Sequence, residues 1–466
     1  MLRTRNEQPS LWESVLPEIC LRLPAELERV DAWLDDDRFF APFVPHFSAR
    51  MGRPSIPMET YLRLMFLKHR YRLGYETLCA EVSDSICWRR FCRIDIDARL
   101  PHPSTLMKLT TRCGQQAIAE LNEQLLAKAV DARVVRTGKV RADTTVVSAN
   151  VDYPTDTGLL ARAVSRMSRI VARIRAVGAA PRTPLRDRTR AAGRRVRSIA
   201  AHLRLRNAQA RDQAQTTIAR ITGELAGLAR RTAAEAQAVL RNARRALTRT
   251  TGRAKGRLRR AVNELTDTIA RTDTVIAQAR IRLAGGKPDS ATRLVSLHDP
   301  DARPIVKGRL GKPIEFGYKA QIVDNADGIV LDHTIEQGNP PDAPQLAPAV
   351  ERIRRRTGQP PRAVAADRGY GEAGVETELH DAGVKTVAIP RKGRPGTARQ
   401  THERQPGFRR LVKWRTGCEG RISHLKHRYD LHRTRLDGLT GARIWCGYGV
   451  LAHNLTKITA LTATNS

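Results

Sequence analysis

Three carboxylates and two cations carry the chemistry available to this sequence. In WRTGCEGRISHLK, Glu419 lies four residues after Arg415 and seven before Lys426. At ~3.6 residues per turn that spacing puts all three on roughly one face of a helix. A second acid, Asp143, stands inside the β-branched run KVRADTTVVSANVDYP, where propensity disfavours a carboxylate and burial is costly unless it is paired or binds a cation. A third, Asp367, ends the apolar stretch Ala363, Val364, Ala365, Ala366 directly before a glycine turn. The C-terminal end of a buried strand is where α/β folds place reactive groups. Three acids in water-accessible proximity repel one another, so as a set they make sense around hard divalent cations, which prefer oxygen ligands. Two such ions can activate an attacking oxygen and stabilise a leaving oxygen at one phosphorus.

The elements that must position these residues follow from hydrophobic period. KVRADTTVVS alternates Val140, Ala142, Thr144 and Val146 against Arg141, Asp143, Thr145 and Val147, which predicts a strand. KPIEFGYKAQIVDNADGIVLDHTIEQG predicts a hairpin: a strand through Ile314, Phe316, Tyr318, Ala320 and Ile322, a turn at 325–328, and a return strand over 329–335. A helix over 343–356 precedes the apolar strand that ends at Asp367, and GVKTVAIPRKGRPG gives one more strand with a basic loop holding Arg391, Lys392 and Arg394. The Glu419 helix and an apolar C-terminal helix close the chain. With residues 161–285 set aside, the order is strand, strand pair, helix, strand, helix, strand, helix. That is the order of an α/β, RNase H-like mixed sheet.

Residues 1–135 read as an all-helical N-terminal domain. PSLWESVLPE opens with Pro9 and Ser10 as cap signals, and Leu27, Val30, Trp33 and Leu34 recur at helical spacing. In PMETYLRLMFLKHRYRL, Tyr61, Leu64, Met65 and Leu67 form the buried side, with Arg63, Lys68, His69, Arg70 and Arg72 left polar. YETLCAEVSDSICWRRFCRI has the shape of a helix-turn-helix that would put Trp88, Arg89, Arg90 and Arg93 where phosphate or groove contacts are made. Residues 136–160 and 286–466 supply the α/β domain.

Between them, 161–285 is a long helical, coiled-coil-like insertion with stripes at Leu160–Ile174, Ile218–Leu228 and Leu258–Ile269, broken near Gly178 to Pro184 and Gly252 to Gly256. It holds 30 basic and 7 acidic residues, so it reads as an arm that clamps a DNA backbone or a partner subunit, against the plainer reading of a solvated helical arm.

The whole chain has 466 residues and a net charge of +35, an excess that points to a polyanion and to salt-dependent binding. Its apolar runs are too short for a membrane span, and the basic helices lack aromatic anchors for a membrane surface. MLRTRNEQPS has no signal-peptide core, so the chain is expected to begin there and to stay in the cytoplasm. Seven cysteines without a CxxC pair predict reduced thiols, with no metal site at Cys79, Cys87 and Cys92. His424, His427 and His432 read as a phosphate-facing continuation of the Glu419 helix, and Asp152 and Asp156 as solvated loop acids beside Pro154.

ADTTVVSAN around Asp143, DPDARPIVKGRLGKPIEFGYKAQI, VAADRGYG around Asp367 and the Arg415, Glu419, Lys426 pattern together resemble the DDE transposases of bacterial insertion sequences. RPSIPMETYLRLMFLKHRYRLGYETL, with LPHPSTL downstream, resembles the helical N-terminal domain found on many of those enzymes. The resemblance implies a DNA transposase in which Asp143, Asp367 and Glu419 hold two Mg²⁺ ions, with Mn²⁺ able to substitute. It implies cleavage at transposon ends, transfer of the 3′-hydroxyl into target DNA, and phosphate contacts from Arg415 and Lys426. The implied partner is double-stranded DNA, both terminal inverted repeats and target, bound by a homodimer at the bacterial nucleoid.

Two positions depart from the family pattern. Val412 stands where a Tyr often precedes the Arg by three residues, and the long insertion follows the first Asp, leaving about fifty residues between Asp367 and Glu419. The alternatives are an architectural DNA-binding protein descended from such an enzyme, and an RNase H-like structure-specific nuclease without strand transfer.

Overall fold

The computed structural model describes residues 1–6, 15–204, 208–306 and 314–465. The cap at Pro9 and Ser10, and residues 307–313 of the motif that leads into GYKAQI, lie outside the described residues.

Asp143 sits on β1 (Lys139–Ser148), the central strand of a mixed sheet. The other strands are β2 (Arg303–Val306), β3 (Ile314–Asn325), β4 (Val330–Gln337), β5 (Ala363–Ala365) and β6 (Thr386–Ala388). They run in the order β2-β3-β1-β5-β6, with β4 also on β3. β3 and β4 form the antiparallel hairpin, its turn closed by Asn325 Oδ1, which accepts from the Asp327 and Ile329 amides. β5 lies parallel to β1, and β6 parallel to β5. This is the RNase H-like sheet.

Residues 140–143 of β1 are all buried, so the expected in-and-out alternation is absent. Both faces are covered, as in parallel sheets generally.

The N-terminal region is helical: α1 (Ala25–Leu34), α2 (Met58–Arg70), α3 (Tyr75–Asp84), α4 (Ile86–Phe91) and α5 (Pro103–Asp131), the last bent at Gly114. The supposed polar side of α2 is not exposed. Arg63, Lys68 and His69 are buried, because α1 and the long C-terminal helix cover that side. Arg63 Nε donates to Asp31, Lys68 lies over the Trp445 ring, and His69 stacks on Tyr448. That C-terminal helix (Gly438–Asn465) also meets α5, where Asn122 donates to the Gly447 carbonyl, and β4, where Asn454 satisfies both backbone groups of Val330. Residues Met1–Ala149 and Tyr318–Ser466 accordingly form one compact unit, and Asn150–Gly317 a second.

The second unit is built on α6 (Asp156–Ala176), α7 (Thr189–His202), α8 (Ala208–Arg249) and α9 (Gly252–Leu283). Their stripes meet in two apolar clusters, one around Met167, Ile174, Leu240 and Leu258, the other around Leu160, Leu225 and Val275. The α8–α9 turn passes through Gly252 at φ +59°, which glycine adopts freely. Asp156 corrects the sequence reading: it is buried in the first turn of α6, where a helix favours a negative charge, and it pairs with Arg282 at 3.0 Å. Asp152 is exposed beside Arg162. No helix among the described residues is long and apolar enough to cross a membrane.

Candidate active site

Strand register brings the first two acids together. Arg141 on β1 is level with Ala365 on β5. Two residues beyond that level stand Asp143, still on β1, and Asp367, just past the end of β5, where neighbouring strands run about 4.8 Å apart. β5 stops at Ala365, and Asp367 caps the next turn by accepting from the Gly369 amide at 2.8 Å. The third acid arrives on a helix. The segment expected as one helix is two, Pro406–Arg415 and Gly417–Arg428, joined at Thr416 in helical geometry. The break leaves the i,i+4 pair intact, with Arg415 Nη2 donating to Glu419 Oε1 at 3.0 Å.

Arg415 also reaches across to the sheet, where Nη1 donates to Asp143 Oδ2 at 3.0 Å. The other Asp143 oxygen accepts from the Thr144 amide. Burial pushes the Asp143 carboxyl up to about 6; the Thr144 amide and Arg415 oppose this, and the negative charges of Asp367 and Glu419 add to it. Asp367 and Glu419 therefore both lie within electrostatic reach of Asp143.

In this arrangement no three His, Cys, Asp or Glu side chains among the described residues are gathered closely enough to ligate one ion. The guanidinium stands between two of the acids as a cation in its own right. The donor chemistry nonetheless suits a hard divalent ion: oxygen ligands only, on the central strand, the turn after β5 and a facing helix, with more negative charge than one arginine neutralises.

Sequence reasoning missed the groups that hold this site. Arg141, one pleat from Asp143, is buried; it binds Asp324 through Nε and Nη2 (2.8 and 2.9 Å) and the Trp414 carbonyl through Nη1 (2.9 Å). It thus ties β1 to the helix junction next to Glu419. Gly417 permits that approach, since a Cβ there would stand 2.1 Å from Arg141 Nη1. On β3, Lys319 and Gln321 are buried rather than outward-facing. Gln321 donates to the Tyr370 hydroxyl, and Lys319 Nζ binds Asp342 at 2.7 Å and the Pro340 carbonyl at 2.6 Å. Asp342 and Asp367 both approach Gly369, so this acid borders the site too. Tyr370, in the turn after Asp367, is raised by burial and also by the charges of Asp342, Asp143 and Asp367. Neither Lys319, on a strand that also carries Glu315, Gln321 and Asp324, nor Asp342, in GNPPDAP, offered a sequence signal of its own.

The remaining expected residues divide. Lys426 is half-buried on the Glu419 helix, and its charge is felt at His432. The basic loop wraps the Asp367 turn. The Lys392 amide donates to the Gly371 carbonyl, Arg368 donates to the Arg391 and Gly393 carbonyls, and Lys392 Nζ pairs with Glu372. A Cβ on Gly371 would stand 2.1 Å from the Pro390 carbonyl oxygen. Arg394 is exposed. Val412 packs with Leu411 and Trp414 against Ala365, Ala388 and Phe408, an apolar seat at the end of the parallel strands.

Arg89 is a correction: it is buried, and Nη2 donates to the carbonyls of Asp95, Ile96 and Ala98. Its Nη2 is committed to the loop after α4 and its Nε is buried, which leaves half-exposed Arg90 and exposed Arg93, itself 3.0 Å from Asp31, to face an outside partner.

Two families match the chain. Residues 20–112 match the family described as Transposase domain (DUF772), and residues 297–455 match Transposase DDE domain. No solved structure matches it.

Proposed function

The chain belongs to the insertion-sequence DDE transposases, and from that premise we propose that it cuts DNA at the ends of its element and joins the freed ends to target DNA. The observation that supports this most directly is that Arg415 bridges Asp143 and Glu419 while the charge of Asp367 is felt at Asp143. The three carboxylates would hold two Mg²⁺ or Mn²⁺ ions, which when bound supply Lewis-acid stabilisation to the attacking and leaving oxygens.

The protein's own residues do the rest. Arg415, released from the carboxylates, and Lys426 neutralise phosphates beside the scissile bond and position the strand without reading it. In the first step water attacks the phosphodiester, leaving a 3′-hydroxyl and a 5′-phosphate. In the second that 3′-hydroxyl attacks a target phosphodiester, and the target's own 3′-oxygen departs. Arg391, Lys392 and Arg394, on the loop wrapped on the Asp367 turn, would add phosphate contacts to the bound strand. The N-terminal helices, with Arg90 and Arg93 outward, would bind the terminal repeats, and two copies would bring two ends together at the nucleoid.

The test is cleavage and joining of labelled DNA that spans both boundaries of the encoding element, in Mg²⁺, Mn²⁺ and EDTA, for wild type, Glu419→Gln and Asp367→Asn. Cutting and joined products that vanish in both variants and in EDTA, with binding retained, are expected. Binding without cutting would move the assignment to an architectural protein, and cutting of branched DNA alone to a structure-specific nuclease.

A further inference from the structure

The second unit distributes its charge unevenly. Outside the α8–α9 turn acids are interspersed with the cations, and several are held in ion pairs: Asp152 with Arg162, Asp156 with Arg282, Glu224 with Arg195 and Arg220, Glu235 with Arg188, and Glu264 with Arg166 and Arg173. The α8–α9 turn is different. From residue 236 to 263 there are nine cations and no acid. Eight of the nine are exposed and the other, Lys255, is half-exposed. None is in an ion pair among the described residues, and the one side-chain bond recorded for the group runs from Arg244 to Thr266.

Packing does not account for these residues. Between them Leu240, Ala243, Leu258, Ala261 and Val262 close the apolar core against α6, so the cations form the outer surface of a hairpin end whose inner surface is already complete. Exposed arginines are ordinarily balanced by nearby acids, which cost a helix nothing and favour it through i,i+4 pairs. A hairpin end with none accumulates repulsion that the protein does not balance internally and that a bound polyanion would relieve.

We propose that this end of the α8–α9 hairpin is a sequence-independent contact for the phosphate backbone of duplex DNA, separate from the site that cuts it. The dimensions agree. Arg241 to Arg249 covers about 12 Å of helix rise, a length over which duplex DNA carries roughly seven phosphate charges. Arginine suits the task because its planar fork grips phosphate oxygens two at a time. With nothing on this surface to read base edges, it adds affinity and orientation but no sequence preference.

The inference rests on DNA being the partner, as proposed above, and its test reads binding where that of the cutting site reads cleavage. Full-length protein would be titrated with a duplex unrelated to the element, over a range of salt, as wild type, as R241Q/R244Q/R245Q/R249Q, and as the charge-matched control R190Q/R194Q/R197Q/R230Q. Circular dichroism would confirm that helix content is kept in both. The hairpin-end variant is expected to lose two to four from the slope of log K against log salt, at ~0.9 per phosphate contact, with the control close to wild type. Equal losses in both variants would overturn the assignment, leaving only a general effect of net charge. An unchanged slope in the hairpin-end variant would also overturn it, and would make this surface a site for an acidic protein or a solvated one.

Discussion

Arg415 binds Asp143 across the gap between helix and sheet, Nη1 to Oδ2 at 3.0 Å, and that carboxyl is nevertheless harder to ionise than in the unfolded chain. Burial dominates, and lifts it from 3.8 to about 6. Its contribution to stability is therefore present below pH 3.8 and lost as pH rises through about 6. In EDTA at pH 7.5, Asp143→Asn is expected to stabilise the protein, by up to roughly 3 kcal/mol if the whole shift is recovered, with the gain shrinking toward pH 4. Urea melts across that range decide it. The same protonation would weaken Mn²⁺ binding as pH falls through about 6, measured by calorimetry.

Two glycines should rank by what their added methyl would strike. In Gly371→Ala the Cβ meets a backbone oxygen, that of Pro390, at 2.1 Å; in Gly417→Ala it meets Arg141 Nη1, the far end of a side chain, at the same distance. Arg141 is pinned by Asp324 and the Trp414 carbonyl, so it cannot swing away freely. Gly417→Ala is expected to cost on the order of 1–3 kcal/mol, and Gly371→Ala more. Thermal melts in EDTA give the order, and a reversal would mean that the 390–392 loop yields more easily than the Arg141 anchor.

What the sequence disclosed was whatever repeats along the chain or breaks a pattern locally. The strand around Asp143, the hairpin, the apolar strand before Asp367 and the helical arm each carry a period or a turn signal, and they stand where expected. Asp143 and Asp367 were legible because a carboxylate beside buried residues is anomalous. Burial contributed by distant segments was not legible. Arg63, Lys68 and His69 look like the wet side of α2 until the C-terminal helix covers them, and Arg89 resembles any helix-borne arginine until three loop carbonyls close on it. Arg141 and Asp324, 183 residues apart, show no sign of each other in the sequence.

Lys319 and Asp342 form a pair that borders Asp367, with 11% and 19% of their side chains exposed. Removing one partner of such a pair leaves an uncompensated charge, at a cost of about 3–5 kcal/mol, whereas replacing both with apolar groups can be neutral. Lys319→Met and Asp342→Leu should each destabilise by roughly that much, and the double variant should recover most of it. If the pair also sets the Asp367 turn, the double variant will fold yet cleave DNA poorly. Full cleavage by a stable double variant would confine the pair to a structural role.

Lys68 tests the covered side of α2. Burial lowers it from 10.5 to about 7, with Asp430 opposing and Arg435 adding to the shift. The faces of Trp445 at 4.1 Å and Tyr75 at 4.8 Å favour the ammonium form, a contribution that limits the depression. A lysine lowered on folding costs stability wherever it must be charged. The cost is full below about pH 7 and disappears as pH rises toward 10.5, because the unfolded chain holds the proton longer. Lys68→Met is therefore expected to stabilise the protein at pH 6 by on the order of 1–4 kcal/mol, and by progressively less up to pH 10. A loss of stability at pH 6 would show that the two aromatic faces bind the cation more strongly than burial disfavours it.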